Sequence, residues 1–217
     1  HRDLHSFPTR RSSALHIEAR TDAALREHVR ATTALSPFRD RADGRCEFGR
    51  RLGWYAFARI LRPRVIVETG VDKGHGSVLL CAALLRNRAE GYPGTYFGTD
   101  INPQAGWLLR PPYADVGRIL YGDSITTLKT LPAEVDLFIN DSDHSAEYEL
   151  REYETVAPKL SSGAVILGDN AHVTAKLADF SRASGREFLF FREVPKDHWY
   201  PGAGIGISFP AARMGSA

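Results

Sequence analysis

From residue 64 to residue 184 the chain repeats one pattern: a short apolar run, a polar or glycine-rich break, then a stretch with helical spacing. Strands are expected at 64–68 (RVIVE), 95–100 (TYFGTD), 117–121 (GRILY), 135–140 (VDLFIN) and 163–168 (GAVILG). Helices are expected at 75–89, 103–110, 124–131, 145–160 and 174–184. Consecutive parallel strands need a crossover helix, so this alternation predicts an α/β, doubly wound, mostly parallel sheet with helices on both faces. Several strands lack a clean polar alternation, as strands covered on both faces do. The end differs. EFLFFREV and GIGISF are separated only by PKDHWYPGA, which predicts a terminal antiparallel hairpin and seven strands in all.

The helix at 145–160 has the clearest period, with Ala146, Leu150, Tyr153, Ala157 and Leu160 on one face. Ahead of the alternating region, residues 14–34 and 46–61 read as two further helices joined by the polar SPFRDRADGR. With 217 residues, 43% of them hydrophobic, the chain suits one ordinary core. The expected division is N-terminal helices over 14–61 and an α/β core over 62–210, together one domain. No apolar run reaches the roughly 18–20 residues of a membrane span. Cys46 and Cys81 lack metal-type spacing and read as two reduced thiols, which suggests the cytoplasm.

The opening HRDLHSFPTRRSS closely resembles the peptide obtained by translating a common sequencing adapter. Residues 1–13 are therefore expected to be a non-native leader. Ala14 departs from the usual continuation of that artefact. Setting the segment aside removes three Arg and one Asp, and the formal net charge falls from +2 to 0. The charge balance then gives no reason to expect nucleic acid or a membrane as partner.

VIVETGVDKGHGSVLLCAALL is a strand, a glycine turn and an apolar helix. Such a turn lies where ligands bind in open α/β sheets, beyond the carboxyl ends of the strands. Gly70, Gly74 and Gly76 are not spaced as a dinucleotide fingerprint, and no phosphate-binding G-K-[ST] follows. A plain strand-to-helix turn is the alternative.

The order E-x-G-x-x-x-G does, however, resemble the first motif of class I S-adenosylmethionine (SAM)-dependent methyltransferases. GTDIN, YGDS, SSGAVILGDN and the terminal hairpin follow in that family's order, over roughly residues 46–209. The likeness is closest to the small-molecule O-methyltransferase branch with a D-x-x-H segment after strand four. It implies a Rossmann-like seven-stranded sheet with SAM as cofactor. It also implies cofactor contacts at Glu68, Gly70, Gly74 and Ser77. Asp100 and Ile101 would lie at the ribose, and Asp123, Ser124 and Asp141 near the adenine and the rest of the cofactor.

Asn140-Asp141-Ser142-Asp143-His144-Ser145 ends strand four, and Asp169 with Asn170 ends strand five. Two carboxylates and an amide oxygen converge there, a hard-oxygen set suited to Mg²⁺ or Mn²⁺. Asp141, Asp169 and Asn170 resemble the metal site of catechol-type and sugar-modifying O-methyltransferases. His144 and Asp143 are the candidates for taking the acceptor's proton; His needs the smaller shift to act near neutral pH. The competing roles are helix capping by Asp143 or Ser145, capping of a later turn by Asp169 or Asn170, and a metal-independent site in which Asp141 and Asp169 hydrogen-bond the substrate. His75, His172, His198, Trp199 and Tyr200 are weaker candidates.

Metal-assisted O-methylation of a small-molecule hydroxyl is thus the expected function, with a homodimer as a possible assembly. The alternatives are a SAM-binding module without transfer, a GDS-type hydrolase acting through Ser124, and a non-haem oxygenase. The hydrolase needs its GDS and its Asp/His pair far apart in the chain; here they lie less than 20 residues apart. The oxygenase needs two His and a carboxylate.

Overall fold

The computed structural model describes residues 7–41, 46–169, 171–193 and 203–211. Seven strands form one sheet in the order β3-β2-β1-β4-β5-β7-β6. They are β1 (Val65–Thr69), β2 (Thr95–Asp100), β3 (Gly117–Tyr121), β4 (Val135–Asn140), β5 (Leu160–Gly168), β6 (Arg186–Arg192) and β7 (Gly204–Pro210). β1 pairs parallel with β4, and β4 with β5. β7 runs antiparallel between β5 and β6. The mixed, mostly parallel sheet and its terminal hairpin are those expected from the alternating pattern.

The helices are α1 (Phe7–Thr21), α2 (Ala23–Leu35), α3 (Arg51–Leu61), α4 (His75–Ala89), α5 (Ser124–Thr130), α6 (Ala146–Val156) and α7 (Lys176–Ala183). Among the described residues none is long and apolar enough to cross a membrane. The chain packs as two compact units. One holds residues through Arg64, Val71–Tyr96 and Gln104–Ile119; the other holds Val65–Gly70, Phe97–Pro103 and the chain from Leu120 onward.

Four expectations are corrected. The single helix at 14–34 is two helices, because Asp22 accepts from the Leu25 amide at 2.9 Å and starts α2 afresh. The helix at 46–61 begins only at Arg51, since Cys46, Phe48 and Gly49 all have positive φ. No helix forms at 103–110. Gly106 there has φ +70°, and its amide donates to the Asp72 carbonyl at 2.7 Å, outside any helical ladder. Finally, the helix at 145–160 ends at Val156, and Leu160 opens β5 instead. Pro158 lacks the amide hydrogen needed to carry the helix further.

The first unit is tied by a cation held among the helices. Arg59 of α3, 9% exposed, donates to Glu18 of α1 at 3.0 Å and to Asn87 of α4. It also donates to Glu90 just past α4 at 2.5 Å. Tyr55 donates to the same Glu18 at 2.5 Å, and burial with that bond raises the Tyr55 phenol. Arg59→Leu strands these partners, and we expect a loss of about 1–3 kcal/mol in urea unfolding. Cys46 and Cys81 are both buried, and neither forms a disulfide.

In the second unit α5, α6 and α7 pack on the strands. Leu128, Tyr153, Val156, Leu177 and Phe180 meet Val67, Phe97, Val135, Phe138 and Ile166 in one core.

Candidate active site

The carboxyl ends of five neighbouring strands, β3-β2-β1-β4-β5, are knitted into a stair by four backbone bonds. The Gly70 amide donates to the Thr99 carbonyl, Asp141 to Thr69, Asp169 to Asn140, and Gly122 to Asp100, each at 2.9 Å. Gly70, Asp100, Asp141 and Asp169 therefore line one edge of β2-β1-β4-β5. Gly70 has φ +80°, and a Cβ there would stand 2.0 Å from the Asp141 carbonyl oxygen. The glycine is thus required by the crossing of its own backbone with the chain after β4, beyond any need to admit a ligand.

Asp100 is half-buried and accepts from the Asn102 amide at 2.8 Å. Ile101 is 78% exposed. Glu68 is buried within β1. Asp123 is the N-cap of α5, accepting from the Thr126 amide at 2.9 Å. It also accepts from the Tyr148 hydroxyl at 2.6 Å, and this bond above all holds its carboxyl below the usual range.

Gly74 and Ser77 belong to the other unit. Gly74 has φ +94° at the start of α4, where a Cβ would approach Gly106 Cα at 3.2 Å. Ser77 is fully buried, and its Oγ shares a 2.7 Å hydrogen bond with the Tyr96 hydroxyl. His75 is half-buried at the first position of α4.

Along Asn140–Ser145 the side chains divide. Asn140 is buried; Asp143, His144 and Ser145 are exposed; Asp141 and Ser142 lie between. Asp143 accepts from the Ser145 amide at 2.7 Å, so its carboxylate shapes the turn into α6, while Ser145 takes the N-cap position without a side-chain bond. Asp169 is 3% exposed. Asn170 lies outside the described residues, as do His198, Trp199 and Tyr200. His172 is exposed. Among the described residues no group of three or more His, Cys, Asp and Glu side chains is disposed to hold a metal.

The inner face of α6 is not the one expected from its apolar spacing. Ala146 is exposed, Leu150 and Ala157 are half-buried, and the buried positions are Glu149, Glu152, Tyr153 and Val156. Two carboxylates turn inward because donors meet them. Glu149 accepts from Tyr153 and Thr174, each at 2.5 Å. Glu152, with no exposed surface, accepts from Thr69 at 3.2 Å, Ser142 at 2.7 Å, Asn140 Nδ2 and Ser124 Oγ. Burial raises its carboxyl, against the lowering effect of those four bonds. Ser124 is 6% exposed, and its Oγ lies 2.8 Å from the Tyr148 hydroxyl oxygen. A buried serine donating to a buried carboxylate is poorly set to act as a hydrolase nucleophile. Sequence reasoning passed over Glu149, Glu152 and Tyr148. The signal for the two acids was the i, i+3, i+4, i+7 run of Glu149, Glu152, Tyr153 and Val156, an alternative face that Tyr148 does not share.

Residues 67–171 match the family described as Methyltransferase domain. No curated protein is recognisably similar in sequence. Solved structures share the fold. The SAH-bound methyltransferase PaMTH1 of Podospora anserina is 17% identical with a TM-score of 0.62, over 95% of this chain and 97% of that one. The O-methyltransferase TomG of Streptomyces achromogenes, solved with SAM, is 18% identical with a TM-score of 0.62, over 88% and 91%. The O-methyltransferase of Bacillus cereus, solved with SAH, is 16% identical with a TM-score of 0.59, over 87% and 91%. The family match spans just under half of the chain, and these solved structures share its seven-stranded fold.

Proposed function

We propose that the chain transfers a methyl group from SAM to a hydroxyl oxygen of a small molecule. The stair of strand ends carries the reading: Gly70, Asp100 and Asp141 sit together in the matched region, where ligands bind in open α/β sheets. Asp100 would hold the ribose hydroxyls and Asp123, kept ionised by Tyr148, the adenine side. The names of TomG and the Bacillus cereus enzyme, both O-methyltransferases, support oxygen as the acceptor atom. A sulfonium methyl is already activated, so the protein contributes mainly proximity and in-line orientation.

Asp141 and Asp169 follow the paired residues Asn140 and Gly168, so two carboxylates leave adjacent strands side by side. Asn170, next in the sequence, would complete with them a hard-oxygen set of the kind that suits Mg²⁺ or Mn²⁺. Asp141 and Asp169 would hold such an ion, which would supply Lewis acidity to lower the acceptor hydroxyl's pKa. His144, exposed just beyond Asp141, takes the acceptor's proton; Asp143 already serves the α6 turn.

Calorimetric titration with SAM, followed by a screen of sugar, phenol and natural-product hydroxyls for methyl transfer, tests the reading. Asp100→Ala is expected to weaken SAM binding by about 1–3 kcal/mol. Unchanged affinity in that variant removes Asp100 from the cofactor site. SAM binding without transfer to any acceptor class would favour a binding module.

A further inference from the structure

Glu152 bonds to each segment to which the second unit's cofactor contacts are assigned, apart from the end of β2. Thr69 closes β1 immediately before Gly70; Ser124 opens α5 immediately after Asp123; Asn140 closes β4 immediately before Asp141; Ser142 immediately follows Asp141. All four donate to the same carboxylate. We infer that Glu152 is a positioning residue that sets Gly70, Asp123 and Asp141 in place for SAM through Thr69, Ser124, Asn140 and Ser142. The inference rests on the SAM-dependent reading above.

The bonds are divided unequally. Oε2 receives Thr69, Asn140 and Ser142; Oε1 receives Ser124 alone. The division decides what can replace a carboxylate. Asn140 has only N–H to offer on its Nδ2 side, so an oxygen must face it. A glutamine with its oxygen in the Oε2 position meets that demand. Its amide nitrogen then faces Ser124 Oγ, which is a hydroxyl and accepts. Ser124 turns its hydroxyl hydrogen to the Tyr148 oxygen, 2.8 Å away, and Tyr148 continues to donate to Asp123. Every group in the chain stays bonded. Leucine, of similar bulk, leaves all four donors without that acceptor. A role in hydrogen bonding therefore predicts that Gln rescues and Leu does not.

The test compares wild type, Glu152→Gln, Glu152→Leu and the double variant Thr69→Val with Ser142→Ala. SAM and SAH affinities are read by calorimetry well below each variant's melting temperature. The double variant removes two of the four donors, keeps the carboxylate, and serves if Glu152→Leu does not fold. We expect Glu152→Gln to bind within about threefold of wild type, and Glu152→Leu to lose about tenfold or more. The double variant should fall between. Affinity in Glu152→Leu equal to wild type overturns the inference. So does a double variant with a lowered melting temperature and unchanged affinity, since that is the mark of a purely structural contact. A Glu152→Gln loss as large as that of Glu152→Leu also overturns it, by making charge rather than hydrogen bonding the requirement. Wild-type protein that binds neither SAM nor SAH overturns the cofactor reading itself, an outcome separable from the others because it precedes any substitution.

Discussion

Gly70→Ala is expected to cost about 3–5 kcal/mol of stability, among the largest effects of any single methyl group in this chain. Two terms add. At φ +80° an L-residue pays roughly 1–2 kcal/mol for its left-handed backbone. The new Cβ would also lie 2.0 Å from the Asp141 carbonyl oxygen, 2.5 Å from its carbon and 2.6 Å from Ser142 Cα. All three are backbone atoms, so no rotamer change relieves the overlap. Either the end of β1 or the turn after β4 must move, and the bond from the Asp141 amide to Thr69 goes with it. Against a total of about 5–15 kcal/mol, that loss lowers the urea midpoint sharply. Gly163→Ala is the control: nothing lies within 4 Å of its added Cβ. We expect it to stay within about 0.5 kcal/mol of wild type. A Gly70→Ala midpoint close to that of Gly163→Ala would show that the crossing yields more easily than its geometry implies.

The second large effect concerns the acidic strand ends. On the proposed reading, EDTA abolishes methyl transfer, Mg²⁺ restores it, and SAM still binds. Asp169→Ala should reproduce the EDTA result at any Mg²⁺ concentration. Asp169 is 3% exposed, so the variant's melting temperature must be measured beside its activity. His144 is exposed and its loss should leave the fold and the metal site intact. His144→Ala is expected to slow transfer by about 10²–10⁴-fold, the usual consequence of losing a general base. The limb of the pH–rate profile that reports the base should disappear with it. Full activity in EDTA, with no metal in the purified protein, would rule out the ion. An unaltered pH–rate profile in His144→Ala would pass the proton to Asp143 or to water.

The sheet was legible because strand and helix periods differ and because β1 to β5 each end at, or one residue before, a Gly, Asp or Asn. β2, β3 and β4 have the limits expected, and α4 spans 75–89 as expected. What was not legible turned on single residues that override a period. Residues 103–110 have helical spacing, but Gly106 sits at φ +70° with its amide bonded to Asp72. Asp22 looks like one polar residue on a helix face until it caps α2. In α6 the apolar spacing pointed to a face that is partly exposed, because hydrogen-bonded glutamates can be buried where unpaired ones cannot. The candidate site divides the same way. Gly70, Asp100, Asp141 and Asp169 were found because they end strands. Glu152 and Tyr148 lie within a helix, and only the donors that surround them give them a role.

The shared acceptor on α6 also bears on how this chain can be redesigned. Thr69, Ser124 and the neighbours Asn140 and Ser142 come from three separate segments but answer to one carboxylate. Their substitutions should be epistatic rather than additive, with coupling energies of about 0.5–3 kcal/mol in double-mutant cycles through residue 152. A library that randomises 140–145 to reach new acceptors while leaving Glu152 fixed will discard many side chains whose only fault is a mismatch with that carboxylate. Varying residue 152 together with them opens combinations that single-site scanning would score as dead.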